Sequence, residues 1–301
     1  MLIAASLDDA LAALAAGARP VAGGSDLVVG ARHGKAPLPA SLVAIDRIAE
    51  LRTITDTADG GLVIGAGVSH HTIETHATIG ARYSGLADAS ALVGSPSTRN
   101  VGTLGGNVMN ASPAMDTGAP LLVLGASVEL RSSTSTRTVA MDELWTGPGR
   151  TVAAPDELCV AVHLPAPAPR SGSAYVRLEY RRAMEIAVVG AGASVTLDDS
   201  GAIASVAVAL TAVAPTIVAV AGLGSLAGSS VADAAAAVAR AAGEQARPIS
   251  DLRASDRYRR HTVGVMARRA VEAAARRAAG EHVAVPVNRA LGIGAASGAT
   301  S

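Results

Sequence analysis

The feature that most constrains this chain is a polar segment at residues 101–116, with the sequence VGTLGGNVMNASPAMD. It combines two adjacent glycines with two asparagines, small hydroxyl residues and an acid, and it offers little apolar surface. Such a stretch cannot form an ordinary hydrophobic core, because each buried polar group would need a hydrogen-bond partner. The segment therefore predicts a backbone shaped to fit a polar ligand.

A second segment of the same character lies about eighty residues upstream, at residues 20–27, with the sequence PVAGGSDL. Glycine adopts positive φ angles and lets other groups approach the backbone, and successive N–H groups in such turns form a concave anion site. Ser25, Thr103 and Asn107 would add side-chain donors, whereas Asp116 is an acceptor suited to a ribose hydroxyl or an adenine amine. The pair predicts a cradle for one extended anionic ligand, although each motif alone could be a surface turn.

The composition limits the size of the fold and the class of partner. A chain of 301 residues is long enough for two domains of ordinary size. Half of its residues are apolar, but it has no Phe, one Trp and four Tyr, so its core must be built from small aliphatic side chains. The 25 basic residues are balanced by 25 acidic ones, which argues against a nucleic-acid binder.

The cysteine and histidine content argues against metal and disulfide sites. Cys159 is the only cysteine, so this sequence cannot form an intrachain disulfide, a four-cysteine zinc site or a cysteine-ligated iron–sulfur cluster. His70, His71 and His76 form the only local group of histidines, and Glu74 alone does not complete a ligand set. The sequence therefore predicts no metal site.

The longest uncharged segment, at residues 200–232, is long enough to cross a bilayer, which takes about 20 residues. Pro215 near its middle and its many Ser, Thr and Gly residues favour two buried strands around a bend instead. The N-terminal residues lack a basic region and carry Asp8 and Asp9, unlike a secretory signal. We therefore expect no membrane span and a cytoplasmic location.

The pattern of the remaining chain predicts mixed helices and strands. Ser6 followed by Asp9 predicts a capped helix at residues 7–16. The segment APAPRSG at residues 166–172 favours a domain boundary, and longer elements follow it, with strands at 174–180, 186–197 and 203–212 and helices at 231–242 and 255–279. We expect domains at residues 1–168 and 173–280, then a disordered tail at residues 281–301.

The motifs AGGSDL at residues 22–27, TLGGNVMNASPAMD at residues 103–116 and YRRAMEIAVV at residues 180–189 resemble those of a known family. This family comprises the FAD-binding medium subunits of molybdenum hydroxylases, among them the carbon monoxide, nicotine and xanthine dehydrogenases. The likeness extends from the N-terminus to about residue 280. It implies an α+β fold with a two-subdomain FAD-binding region of the PCMH type, followed by a C-terminal domain with a small antiparallel sheet and helices.

The resemblance also implies which residues bind FAD. It places the pyrophosphate on residues 22–25 and 103–107, and Asp116 on the ribitol or ribose. It places Ile186 beside the isoalloxazine and Arg177 near its N1 and C2 carbonyl, although Arg177 could also be a surface strand residue. Relatives often have Asp where this chain has Glu185. The full set implied is Val21, Ala22, Gly23, Gly24, Ser25, Asp26, Leu27, Val93, Gly94, Val101, Thr103, Gly105, Gly106, Asn107, Ala111, Ser112, Asp116, Cys159, Arg177 and Ile186, with Cys159 packing near the adenine end and no catalytic residue among them.

The function implied by the resemblance is electron transfer. A large molybdopterin subunit would oxidise the substrate, and electrons would pass through the 2Fe-2S clusters of a small subunit to FAD on this chain. The flavin would then reduce an external acceptor, and the whole would form a dimer of heterotrimers. The arginine-rich helix at residues 255–279 would be a solvated face or an interface with a partner.

Two other functions stay open at this point. One is a self-contained FAD oxidase or reductase of the same flavin fold, for which His70 or His71 would have to act as a base. The other is a nucleotide-binding scaffold without redox chemistry. A P-loop kinase is disfavoured, because the sequence contains no GxxxxGK[ST] motif.

Overall fold

The computed structural model describes residues 1–34 and 36–293. Its α-helices are α1 (Leu7–Ala15), α2 (Ser25–Arg32), α3 (His70–Thr75), α4 (Ala77–Arg82), α5 (Ser84–Leu92), α6 (Pro96–Val101), α7 (Leu104–Asn110), α8 (Gly118–Val123), α9 (Met141–Leu144), α10 (Val231–Gln245), α11 (Asp256–Ala278) and α12 (Val287–Ala290). Single 3-10 turns lie at Ala49–Arg52 and Leu223–Leu226.

The strands are β1 (Leu2–Ile3), β2 (Arg19–Val21), β3 (Leu42–Ala44), β4 (Ile54–Asp56), β5 (Leu62–Gly65), β6 (Ser127–Arg131), β7 (Thr136–Ala140), β8 (Trp145–Gly147), β9 (Arg150–Thr151), β10 (Leu158–Leu164), β11 (Ser171–Leu178), β12 (Val189–Leu197), β13 (Ile203–Thr211) and β14 (Val218–Ala219). Together, these helices and strands form two units that interleave along the sequence. The first comprises Met1–Thr72, Pro96–Ser112 and Gly125–Ala166, and the second comprises Ile73–Ser95, Pro113–Leu124 and Pro167–Ser301.

The first unit contains a small parallel sheet, a five-stranded antiparallel sheet and the two-stranded antiparallel ribbon of β8 and β9. The parallel sheet has the order β1-β3-β2, and the antiparallel sheet has the order β4-β5-β10-β6-β7. Helix α1 begins at a capping box in which Ser6 Oγ accepts from the Asp9 amide, as the sequence predicts. Its buried Leu7, Leu11 and Leu14 belong to a core that also contains strand residues of β3 and β10.

The second unit is built on a four-stranded antiparallel sheet of order β11-β12-β13-β14. One face of this sheet carries Ala and Val side chains that pack in one cluster with α10 and α11. The small side chains allow close approach, since a Cβ at Gly264 of α11 would lie 2.6 Å from the Ala239 carbonyl oxygen of α10. This unit confirms the predicted α+β class, its small antiparallel sheet and its core of small aliphatic residues.

The opposite face of the same sheet carries larger and more polar groups. Tyr175 and Arg177 of β11 lie on this face because side chains alternate along a strand. Gly190 and Gly192 of β12 leave room there, since a Cβ at Gly190 would overlap the Tyr175 hydroxyl and one at Gly192 would lie 2.8 Å from the Ala119 carbonyl carbon of α8. The face is thus shaped to admit the segment that contains Asp116.

Several predicted boundaries agree with the structure, and two need correction. Strands β13 and β14 pair across a bend within residues 200–232, as expected, but β14 has only two residues and these are half-buried and exposed rather than buried. Within the described part of the chain, no helix is both long enough and apolar enough to cross a bilayer. Strand β12, however, begins at Val189 rather than at Ile186, because residues 180–188 form an irregular loop.

The second correction concerns the predicted disordered tail. Residues 281–293 include the short helix α12, and both Val287 and Asn288 are fully buried. The prediction was wrong for these residues, because small and polar residues can be held by hydrogen bonds that composition does not reveal. Residues 294–301 lie outside the described residues.

The arginine-rich helix α11 is only partly a solvated face. Its Arg268 pairs with exposed Glu272, and Arg260 pairs with Asp256, as expected for surface i,i+4 pairs. Arg277 instead has a side chain that is 8% exposed, and it binds the buried Asp88 carboxylate with both terminal nitrogens. The helix therefore anchors the second unit through one of the arginines that composition alone assigns to solvent.

Candidate functional site

The first predicted motif forms the turn between β2 and α2. Gly24 has a φ angle of 67°, in the left-handed region that glycine adopts without strain, and it directs the chain from β2 into the helix. As the N-cap of α2 it makes no side-chain hydrogen bond to the first turn. A helix N-terminus without such a cap presents backbone N–H groups and a partial positive charge, which suits an anionic oxygen.

The structure brings this turn against the second motif within the first unit. A Cβ at Gly23 would overlap the carbonyl oxygen of Val101, so the two backbones are in direct contact. A Cβ at Gly102 would lie 3.6 Å from Ser25 Oγ. The convergence of the two glycine motifs, which lie about eighty residues apart, is thus an observed feature of the fold.

The second motif opens helix α7 in a conformation fixed by its neighbours. Thr103 is the N-cap, and its Oγ1 accepts from the Gly106 amide at 3.1 Å. The Gly105 amide donates to the Ala66 carbonyl at 2.8 Å, and a Cβ at Gly105 would lie 2.5 Å from Ala66 Cβ. The Asn107 amide donates to the Thr103 carbonyl, so residues 103–107 form one tight turn of helix.

The far end of α7 is anchored by the β8–β9 ribbon. Ala111 ends the helix with a φ angle of 49°, and its carbonyl accepts from the Gly149 amide at 3.0 Å. The Trp145 indole donates to the Val108 carbonyl at 3.0 Å. Ser112 follows and is half-buried. Helix α7 is thereby held by hydrogen bonds at both ends, although it has little apolar surface of its own.

His70 is buried beside this segment. Its amide donates to the Gly102 carbonyl at 3.1 Å, and its Nδ1 atom is buried without a hydrogen-bond partner among the described residues. Burial lowers the pKa of His70 to about 4, and the positive charge of Arg99 adds to this shift. The imidazole is therefore neutral at physiological pH, which removes any general-acid role there.

A pH dependence of stability follows from this neutral histidine. The pKa of His70 lies below its ordinary value of 6.5, so the unfolded chain binds more protons than the folded chain between these two values. Through this group the free energy of unfolding should decrease by about 2 kcal/mol when the pH falls from about 7.5 to about 5. Urea titrations of a His70→Gln variant should show a flatter pH dependence, with exposed His71→Gln as the control. An unchanged slope in His70→Gln would refute this assignment.

The second unit holds the other predicted polar residues in a buried network. Asp116 accepts from the Tyr175 hydroxyl at 2.8 Å and from Arg177 Nη1 at 2.7 Å. Arg177 Nε donates to Glu179 Oε2 at 2.8 Å. The Arg177 side chain has no exposed surface, so the alternative of a surface strand residue is wrong.

The charges of this network are strongly coupled. Burial alone would lower the pKa of Arg177, but the attraction of Asp116 and Glu179 outweighs it, so the pKa is raised and the guanidinium stays charged. Burial raises the pKa of Asp116, and Arg177 and the Tyr175 hydroxyl oppose that shift. The Arg177 guanidinium therefore forms ion pairs with both the Asp116 and the Glu179 carboxylates.

The loop between β11 and β12 carries the predicted isoalloxazine contact. Its Met184 has a φ angle of 53°, and its amide donates to the carbonyl of Gly94, which itself has a φ angle of 52°. Arg181 Nε donates to Glu185 at 3.1 Å. Ile186 is 49% exposed, and Val93 and Gly94 are half-buried. The structure therefore places Val93, Gly94 and this loop close to one another.

Cys159 lies in β10 and is buried, as a packing residue should be. Burial raises the pKa of its thiol to about 12, and the Glu129 carboxylate adds to the shift. The thiolate needed for alkylation is therefore absent at neutral pH. We expect the folded chain to resist iodoacetamide at pH 8 and the urea-unfolded chain to react fully. Rapid labelling of the folded chain by mass spectrometry would contradict this placement.

Three residues of the buried network around Asp116 and Arg177 were not predicted from the sequence: Tyr175, Glu179 and Asn288. Tyr175 and Glu179 lie at alternate positions of YVRLE around Arg177, and this period of two was the available signal. Asn288 belongs to the predicted tail, yet its amide group hydrogen-bonds the backbone of Arg177. No local pattern points to that contact, because the two residues lie far apart in the sequence.

The remaining predicted residues line the first motif. Val21, Ala22 and Leu27 are half-buried, and Asp26 is exposed. The turn offers a helix N-terminus, a positive φ at Gly24 and no room for a Cβ at Gly23, and such a backbone surface suits a pyrophosphate. The described residues contain no group of three or more His, Cys, Asp or Glu arranged to hold a metal ion. The helix N-terminus and glycine turn of this motif suit the pyrophosphate of a dinucleotide such as FAD.

Comparison with known proteins agrees with this geometry. The family described as FAD binding domain in molybdopterin dehydrogenase matches residues 1–167, and the one described as CO dehydrogenase flavoprotein C-terminal domain matches residues 174–274. The carbon monoxide dehydrogenase medium chain of Afipia carboxidovorans is 33% identical over 265 residues, which cover 87% of this chain and 90% of that protein. The xanthine dehydrogenase FAD-binding subunit of Escherichia coli is 34% identical over 200 residues, which cover 65% of this chain and 68% of that protein.

Solved structures extend the similarity to the fold. A carbon monoxide dehydrogenase from Hydrogenophaga pseudoflava, which lacks the Mo-pyranopterin moiety of its cofactor, matches with a TM-score of 0.86 and 30% identity, covering 92% of this chain and 96% of that chain. These matches confirm the resemblance, the fold and the cofactor inferred from the motifs. The chain is an FAD-binding protein and belongs to the family of flavoprotein subunits of molybdenum-containing dehydrogenase complexes.

Proposed function

We propose that this chain is the subunit from which electrons leave a three-subunit dehydrogenase. Its FAD accepts electrons from a 2Fe-2S cluster on a small subunit, after a large molybdopterin subunit has oxidised the substrate, and passes them to an external acceptor. The observation that carries this proposal is the single, buried cysteine in a chain of a flavoprotein-subunit family. These 301 residues cannot ligate a cysteine-bound cluster, so we place the electron source on a partner.

The residues of the chain would bind and orient the cofactor. The amide groups of residues 22–25 and 103–107 would hold the pyrophosphate, and Asp116 would accept hydrogen bonds from the ribitol or ribose. Bound FAD supplies storage for two electrons that arrive one at a time. Because Arg177 is committed to Asp116 and Glu179, we assign it mainly to holding Asp116 in place, with less effect on the flavin potential.

The assembly proposed is a dimer of heterotrimers in the cytoplasm. Within this chain we propose domains at residues 1–168 and 173–280, in line with the residues that the two families match. The remaining predicted contacts, including Val93, Gly94, Cys159 and Ile186, are proposed to line the cofactor.

Purification of a tagged chain from its native cells tests whether the iron and molybdenum centres lie on partner subunits. We expect iron and molybdenum to co-purify with two further chains and to be lost when the tagged chain is separated from them. Stoichiometric iron or molybdenum on the separated chain would overturn the proposal. Turnover of an organic substrate by the chain alone would favour a self-contained flavoenzyme instead.

The direction of electron flow can be tested in the assembled complex. The complex is reduced anaerobically with dithionite, freed of excess reductant and mixed with NAD⁺, a quinone or oxygen. Reoxidation of the iron–sulfur chromophore should be fast with FAD present and slow in a complex from which FAD has been removed. Equal rates in the two complexes would show that electrons leave by another route.

A further inference from the structure

Strand β11 lies at the edge of its sheet, so one side of its backbone needs partners other than a strand. Its Ser173 carbonyl accepts from the Ser84 hydroxyl at 2.7 Å and from Arg277 at 2.8 Å. Its Tyr175 amide donates to Asp88 at 3.1 Å. Side chains from other elements thus form the hydrogen bonds that the backbone groups of alternate residues on this edge would otherwise lack.

Asn288 completes the same edge at Arg177. The Arg177 amide donates to Asn288 Oδ1 at 3.0 Å, and Asn288 Nδ2 donates to the Arg177 carbonyl at 2.9 Å. The side-chain amide therefore replaces a neighbouring strand at this one residue. Asn288 is fully buried, so both hydrogen bonds are shielded from water.

The segment that carries Asn288 is itself fixed by Asp88. This buried carboxylate accepts from the Val287 amide at 2.9 Å and from both terminal nitrogens of Arg277. Arg277 also donates to the carbonyls of Val283 and Ala284. Residues 283–293, which we name the C-terminal strap, are therefore bound to β11 by specific hydrogen bonds rather than by apolar packing alone.

The strap reaches Asp116 through β11. Tyr175 and Arg177 are the strand residues whose backbones the strap and Asp88 hold, and they are also the two donors to Asp116. A shift of the strand backbone at Arg177 would move its guanidinium relative to the Asp116 carboxylate. The family match ends at residue 274, so the strap lies beyond the part of the chain that the family describes.

We propose that Asn288 is a positioning residue for the FAD site, acting through Arg177 on Asp116. This inference rests on the function proposed above, in which Asp116 accepts hydrogen bonds from the cofactor. Removal of the Asn288 amide leaves the Arg177 backbone without partners at the sheet edge, and Asp116 then loses its fixed orientation. Asn288 itself need not touch the cofactor.

The test compares FAD affinity among four purified variants. Flavin titrations of the apo chain should give about tenfold weaker binding for Asn288→Ala, the effect of about 1.4 kcal/mol expected for lost buried hydrogen bonds. The exposed neighbour Arg289→Ala is the matched control and should bind FAD as the wild type does. In an Asp116→Asn background, Asn288→Ala should weaken binding by less than about twofold, because non-additivity marks residues that act through one another.

The outcomes separate positioning from a merely structural role. An Asn288→Ala variant that lowers the unfolding midpoint but keeps wild-type FAD affinity would overturn the inference, as would an equal loss of affinity in the Asp116→Asn background. If Asn288→Ala does not fold, Asn288→Asp, which keeps the acceptor for the Arg177 amide, takes its place under the same criteria. Wild-type FAD affinity in Asp116→Asn alone would overturn the role proposed for Asp116, and the strap inference with it.

Discussion

Replacement of Arg177 by methionine is expected to lower the free energy of unfolding by about 3–5 kcal/mol, the range seen when one partner of a buried ion pair is removed. Asp116 and Glu179 would both remain buried without their cation, since the side chains are 9% and 3% exposed in the folded chain. Because methionine keeps an aliphatic side chain at this position, the lost free energy of unfolding arises mainly from removal of the positive charge.

The matched control for this variant is Arg181→Met in the adjacent loop. Arg181 also pairs with a carboxylate, Glu185, but its side chain is 69% exposed. Surface ion pairs contribute about 0–1 kcal/mol, so the control should unfold close to the wild type. Urea unfolding followed by circular dichroism measures both variants. A loss below about 1 kcal/mol for Arg177→Met would show that the network is not a buried ion cluster.

The second large effect is expected at the first glycine motif, where Gly23→Val should abolish FAD binding. A valine Cβ would overlap the Val101 carbonyl oxygen, which is main chain and cannot rotate away. The turn would have to separate from the second motif, and the pyrophosphate site that we propose on the two motifs would be lost. The substitution acts on geometry alone, because neither residue carries a charge.

Gly30→Ala is the control for this variant, since Gly30 lies in the same helix α2 and a Cβ there meets no atom within 4 Å. Alanine also favours helix, so stability should be kept or slightly raised. The flavin content of each purified chain, measured after denaturation, gives the result. Wild-type FAD content in Gly23→Val would mean that the contact between the two motifs does not hold the cofactor.

Much of the local structure could be predicted because its determinants lie within a few residues. Ser6 and Ser230 cap the helices that follow them, as predicted, whereas Ser255, predicted as the first residue of its helix, is the N-cap of α11. Glycine pairs marked both motifs, since Gly24 adopts a positive φ and the close backbone approach at Gly23 and Gly105 leaves no room for a Cβ. The family motifs then supplied the identity of the ligand, which turn chemistry alone could not.

The features that escaped prediction depend on contacts between distant residues. The burial of Arg177 requires Asp116, about sixty positions away, and Asn288, farther still. Composition made residues 281–293 resemble a disordered tail, because hydrogen bonds from Asp88 and Arg277 leave no trace in the local sequence. The start of β12 was misplaced because the apolar Ile186 extends the strand pattern into an irregular loop.

The visible absorption spectrum of the purified chain, with the released cofactor identified by chromatography, shows whether this chain carries FAD. We expect flavin bands and the release of stoichiometric FAD, with no other chromophore on the separated chain. A colourless chain that also fails to take up added FAD would contradict FAD binding and favour a nucleotide-binding scaffold without redox chemistry.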